Sequence, residues 1–108
     1  MTYVLPKTIA DYLTADAAVD AEASGQCFTE DALVHDEGRD IRGRDAIVQW
    51  KAAGHAKYQY TAELLGFRED DETVVVHAGL TGNFPGSPVE VDYRFILRDG
   101  LIAELSID

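Results

Sequence analysis

Apolar residues return at every third or fourth position near the start of the chain and at every second position over its latter half. Leu5, Ile9, Tyr12, Leu13 and Ala17 fall on one helical face. Pro6 suits the first helical turn, where its missing N–H would lack a partner anyway. Asp20 reads as a new N-cap with Glu22 in the turn that follows, which predicts a short second helix over 21–27 ending against Phe28. Gly25 weakens that helix by about 1 kcal/mol relative to alanine. A short apolar run predicts a strand over 32–36, and a polar loop follows over 37–42. Beyond Gly43, the residues Ala46, Ile47, Trp50 and Ala53 repeat at helical spacing. Gly54 is the expected stop, with Lys51 and His55 near the negative end of the helix dipole.

From Lys57 the period changes to two. Tyr58, Tyr60, Ala62 and Leu64 alternate with Gln59, Thr61 and Glu63, a strand running to about Arg68. The acidic run 69–72 is a solvated turn. A strand over 73–83, a turn at 84–88 and a strand over 89–98 follow. Asp99-Gly100 is the strongest short hairpin signal in the chain, and 101–107 makes the closing strand.

Helices followed by strands imply an α+β domain with helices covering one face of a curved antiparallel sheet. In the last strands both alternation phases are substantially apolar, with Tyr93, Phe95 and Leu97 on one and Ile96 on the other. Such a sheet needs two covers. The helices supply one, and a second subunit is the economical candidate for the other, giving a homodimer through the sheet face.

At 108 residues the chain is one domain with a single modest core. Twenty acidic against nine basic side chains give a formal charge of -11, a field that repels nucleic acid and anionic membranes. A small apolar or weakly polar ligand is the easier partner. The apolar runs are far shorter than the roughly 20 residues needed to cross a bilayer. Met1-Thr2-Tyr3 lacks basic residues and no long apolar segment follows, so no signal peptide is expected. The single cysteine, Cys27, cannot form an internal disulfide and fits a reducing cytoplasm. No stretch matches a phosphate loop or a dinucleotide fingerprint, and no cofactor is expected.

The order of Asp20 before a short helix, then Phe28-Thr29-Glu30-Asp31-Ala32, then 43–50 and the closing Asp99-Gly100-Leu101-Ile102, resembles the nuclear transport factor two-like superfamily over nearly the whole chain. That group includes the SnoaL-like polyketide cyclases and the ketosteroid isomerases. The resemblance implies a conical barrel: a strongly curved sheet and three N-terminal helices around a small-molecule pocket, commonly in a dimer. The isomerase pattern has a tyrosine on the first helix, a carboxylate ending the first strand and an aspartate before the closing hairpin. Tyr12, Asp36 and Asp92 fall at those positions, and the spacing from Tyr12 through Phe28 to Asp36 fits without gaps. Trp50 matches an aromatic position on the third helix that lines the pocket, which makes Phe28 and Trp50 expected substrate-binding residues. The resemblance makes Asp36 the base that moves a proton beside a carbonyl. Tyr12 and a neutral Asp92 would then donate to the developing enolate oxygen.

Arg94 lies two residues beyond Asp92, where the isomerases carry an apolar residue. A guanidinium there would hold Asp92 ionised, and an Asp–Arg pair resembles the epoxide hydrolases of the same superfamily or could bind a substrate carboxylate. His77 is either a satisfied sheet residue or a pocket acid. His35, His55 and His77 lie on different elements without ligand spacing, so no metal site is expected. Since Asp108 directly follows the last strand, the cavity is expected to have an open mouth unless a partner covers it. The alternative to an enzyme is a non-catalytic ligand-binding or assembly domain of the same fold.

Overall fold

In the computed structural model, which describes residues 5–108, Pro6 stands as the N-cap of α1 (Lys7–Ala17) rather than inside its first turn. Its own backbone is extended, and its carbonyl accepts the N–H groups of Ile9 and Ala10 at 3.0 Å each. Asp20 caps α2 (Ala21–Gln26) as expected, its carboxylate accepting Ala23 N–H at 3.0 Å. Gly25 has a packing reason: a Cβ there would lie 2.3 Å from Val48 Cγ2, so α2 crosses α3 (Arg44–Tyr58) at the one residue without a side chain. Cys27 is buried, its thiol directed at the Ala23 carbonyl of α2 at 3.6 Å.

Several boundaries differ from the sequence expectation. The strand expected from Lys57 to about Arg68 lies instead over Thr61–Asp70, because Lys57 and Tyr58 still belong to the preceding helix. The first strand, β1 (Phe28–Asp36), is longer than predicted, and the polar loop after it contains β2 (Arg39–Arg42). Glu37 and Gly38 both take positive φ, 52° and 74°, making the two-residue turn that brings Arg39 opposite Asp36. The third helix does not stop at Gly54 but runs to Tyr58, with Gln59 in the left-handed region as its cap. A glycine costs about 1 kcal/mol in a helix interior. Burial of His55 beside Asp16 and Tyr60 in the last turns outweighs that cost.

The remaining strands are β3 (Thr61–Asp70), β4 (Thr73–Thr81), β5 (Val89–Arg98) and β6 (Leu101–Ile107). Asp99 and Gly100, with φ of 54° and 78°, make the predicted hairpin turn. The strands form one curved, unclosed sheet in the order β2-β1-β6-β5-β4-β3, antiparallel except where β1 runs parallel to β6. Helices cover its concave face, the cone-shaped α+β architecture. Ile9, Tyr12, Phe28, Val34, Ile47, Val76, Phe95, Ile102 and Leu105 are buried between the two layers. Tyr12 meets Phe28 and Phe95 edge-on, with ring centroids 5.6 and 5.7 Å apart. Among the described residues no helix is long and apolar enough to cross a membrane.

The outward face is more charged than the apolar alternation suggested. Side chains alternate along a strand, so His77, Asp92 and Arg94 share that face, with Val75 and Ile96 among them. His77 bridges Asp92 (Nδ1 to Oδ1, 2.7 Å) and Glu90 (Nε2 to Oε1, 2.6 Å). His35 does the same between Asp40 and Glu104, at 2.6 and 3.0 Å.

Candidate functional site

Between α3, the curve of the sheet and the 84–88 turn lies a cavity of about 920 Å³. Asp36 stands on its wall because β1 alternates: Ala32 and Val34 are buried in the core, and Asp36 is the next residue in that phase. Trp50, on α3, also lines the cavity and donates its Nε1–H to Asp36 Oδ2 at 3.1 Å. One oxygen of the candidate base is thereby held by the indole.

Tyr12 lies behind this wall, fully buried, and its hydroxyl has no hydrogen-bond partner among the described residues. Burial pushes its pKa well above the usual phenol range, and the negative charges of Asp16 and Asp36 add to the effect. The phenol therefore keeps its proton and can donate it in a hydrogen bond.

Asp92 does not join them. Val89, Val91 and Tyr93 turn into the cavity, which sends Asp92 to the opposite face of the sheet. There the hydrogen bond from His77, with smaller help from the charges of His77 and Arg94, holds its carboxyl below the ordinary range. An ionised, outward aspartate cannot donate to an oxygen in the cavity. Arg94 and His77 share that outward face and are not cavity residues either. Arg94 pairs chiefly with Asp108 (Nε to Oδ2, 2.9 Å), a cavity-lining residue, and lies 3.8 Å from Asp92, so the expected Asp92–Arg94 pair does not face a ligand. Phe28 is wholly buried in the core between helices and sheet rather than at the cavity surface. Of the residues expected from sequence, Asp36 and Trp50 line the cavity, and Tyr12 packs behind it.

The inward neighbour of Asp92 is Tyr93. Its hydroxyl pKa is also raised, by burial first and then by Tyr12, Asp16 and Asp36. Both phenols thus feel the same two carboxylates.

A second polar group reaches the cavity from the helix side. Lys51 and Asp16 are each only 4% exposed in their side chains and pair at 2.7 Å. Tyr60 closes the triangle, accepting from Lys51 Nζ at 2.9 Å and donating to Asp16 Oδ1 at 2.5 Å. Burial keeps Tyr60 protonated despite the opposing charge of Lys51. His55 stacks on Tyr60, centroids 4.8 Å apart, with Nε2 3.1 Å from Asp16 Oδ1 in a direction that makes no hydrogen bond. Desolvation, joined by the charge of Lys51, lowers its pKa against the opposing effect of Asp16, so the neutral ring is favoured near pH 7. Lys51 and Tyr60 line the cavity.

The sequence carried a signal for this group. Tyr12 and Asp16 are four apart on one face of α1, and Ile47, Lys51 and His55 are four apart on one face of α3. Ionisable residues in phase with core residues are costly unless paired. Among the described residues no group of three or more His, Cys, Asp or Glu side chains could hold a metal ion.

The sequence profile of the SnoaL-like domain matches residues 9–105. The chain belongs to the SnoaL-like family. A provisionally assigned polyketide cyclase from Sinorhizobium meliloti is 39% identical, covering 96% of this SnoaL-like chain and 95% of that chain, with a TM-score of 0.93. A protein with a ketosteroid isomerase-like fold from Catenulispora acidiphila, solved with trimethylamine, has a TM-score of 0.84 at 20% identity, covering 97% and 86% of the two chains. A nuclear transport factor two-like protein of unknown function from Cytophaga hutchinsonii has a TM-score of 0.80 at 13% identity, covering 99% and 91%. The latter two are similar in fold alone. No functionally curated protein matches the chain significantly.

Proposed function

We propose that this SnoaL-like protein carries out acid–base chemistry on a small carbonyl compound, either an isomerisation or a cyclisation. The observation that carries the reading is the carboxylate of Asp36 on the cavity wall, oriented by the indole of Trp50. Asp36 takes a proton from the carbon beside the carbonyl, and the electron pair moves to the carbonyl oxygen. Return of the proton to another carbon gives an isomer. Attack of the enolate carbon on a second carbonyl of the same molecule closes a ring, and the alkoxide formed there takes up a proton as Asp36 releases the one it accepted.

Tyr93 on the cavity wall and Tyr12 behind it carry neutral phenols, and the enolate oxygen would develop toward that side. The likeness to a provisionally assigned polyketide cyclase supports the cyclisation form of this reading. The ligand seen in the Catenulispora relative supports a small-molecule pocket as such. The same reading includes a cytoplasmic homodimer joined through the outward sheet face. Sedimentation of a single monomeric species at micromolar concentration would count against the dimer.

The test is proton–deuterium exchange into a panel of cyclic ketones and diketones, comparing wild type with Asp36→Asn. Exchange that requires Asp36 supports the assignment. Absence of exchange across the panel, with both proteins folded, would favour a domain that binds its ligand without reacting it.

A further inference from the structure

Lys51 offers one more donor than its protein partners use. An ammonium has three N–H groups. One goes to Asp16 and one to Tyr60, at 2.7 and 2.9 Å, and no third hydrogen-bond acceptor is found among the described residues. Around it stand the rings of Tyr12, Trp50 and Tyr60, their centroids 4.7, 5.0 and 5.6 Å from Nζ. This aromatic collar and Asp16 hold the cation in one place, on the cavity wall, with almost no access to bulk water.

The hydrogen bonding of the surrounding group is also incomplete. The buried side-chain atoms without a partner among the described residues are the Tyr12 hydroxyl and His55 Nε2. Tyr12 is the ring nearest Lys51 Nζ, and His55 Nε2 lies beside the carboxylate that Lys51 pairs with. Tyr12 and His55 lie behind the cavity wall; of the cluster, Lys51 and Tyr60 line it, and the N–H that Lys51 leaves over is the donor suited to a ligand oxygen.

We propose that Lys51, positioned by Asp16 and Tyr60, binds the oxyanion of an acidic carbonyl ligand in this cavity, a β-dicarbonyl compound or a phenol-like enol. The proposal rests on the reading of the cavity given above and names the ligand class for it. A buried, preorganised cation adds most to a ligand whose oxygen carries full negative charge, and less to a simple ketone. An enol that binds as its anion releases one proton to solvent, and Lys51 keeps its three protons. In turnover the proton instead passes from ligand carbon to Asp36, and the electron pair ends on the oxygen that Lys51 faces.

The experiment uses 4-nitrophenol, whose anion absorbs in the visible, and its neutral methyl ether, 4-nitroanisole. Trp50, the single tryptophan, reports occupancy through its fluorescence. Wild type is expected to bind the phenol as its anion, lowering its apparent pKa, and to prefer it over the ether by roughly tenfold. Lys51→Met removes the preference and leaves ether binding within about twofold of wild type. If that variant does not fold, the paired variant Asp16→Asn with Lys51→Met removes both charges and takes its place. Asp36→Asn is expected to tighten anion binding by relieving repulsion. Bound phenol that is no more ionised than free phenol overturns the proposal, as does an anion preference that survives loss of Lys51, or failure of the wild type to bind either probe. Loss of deuterium exchange with the anion preference intact would sink only the role of Asp36.

Discussion

The indole Nε1 of Trp50 donates to Asp36 Oδ2 at 3.1 Å, joining the middle of α3 to the last residue of β1 across the cavity wall. The contact fixes the orientation of a partly buried carboxylate without neutralising it. Trp50→Phe keeps the ring and removes the donor. Asp36-dependent exchange is expected to fall roughly tenfold, in line with loss of one hydrogen bond to a charged group. Thermal stability should change little, and a large drop in melting temperature with unchanged exchange would assign Trp50 to packing alone.

Asp16 and Lys51 form a buried pair, and removing one partner leaves the other uncompensated. Asp16→Ala is expected to cost about 3–5 kcal/mol, read from urea unfolding at pH 7. Asp16→Leu combined with Lys51→Met should cost much less than the single change, because no charge is left in the wall. Equal costs for the two would mean that packing, and not charge, dominates at this site.

The three histidines should titrate in two directions from the ordinary value of 6.5. His77 is raised by its hydrogen bonds to Asp92 and Glu90, and His35 by those to Asp40 and Glu104; His55 is lowered, chiefly by desolvation. For the raised pair, the folded state holds protons more tightly than the unfolded chain. Their stabilisation is complete below the unfolded value and is lost as pH rises through the folded values. For His55 the sign reverses: a penalty develops as pH falls below the unfolded value toward the lower folded one. Ring-proton NMR, assigned with single His→Gln variants, checks the order. His55 titrating above His77 would refute it.

Two helical glycines should respond oppositely to alanine. Gly25→Ala places a methyl group against Val48 across the α2–α3 crossing, with an expected loss of about 1–3 kcal/mol. Gly54 has no atom within 4 Å of its would-be Cβ and lines the cavity inside α3. Gly54→Ala is expected to gain about 0.5–1 kcal/mol from helix propensity. Denaturant midpoints for the two variants measure both signs.

The sequence by itself determined what depends on neighbours along the chain. The Asp20 cap, the helix face through Ile9 and Tyr12, the alternation of β5 and the Asp99-Gly100 turn all follow from local geometry. The same alternation, carried back along β1, placed Asp36 beside the core. Tertiary structure decided the rest. Whether Asp92 or Tyr93 faces the cavity is a matter of strand phase, and a single-residue difference in phase exchanges every side chain between faces. The end of α3 was set by burial of His55 against Tyr60 and Asp16, which local propensity at Gly54 does not include. The site of Lys51 depends on Asp16, Tyr60 and Tyr12, which lie 35, 9 and 39 positions away in the chain. Only the tertiary meeting of Asp16 on α1 with Lys51 on α3, closed by Tyr60, supplied the partners that hold these groups in the interior.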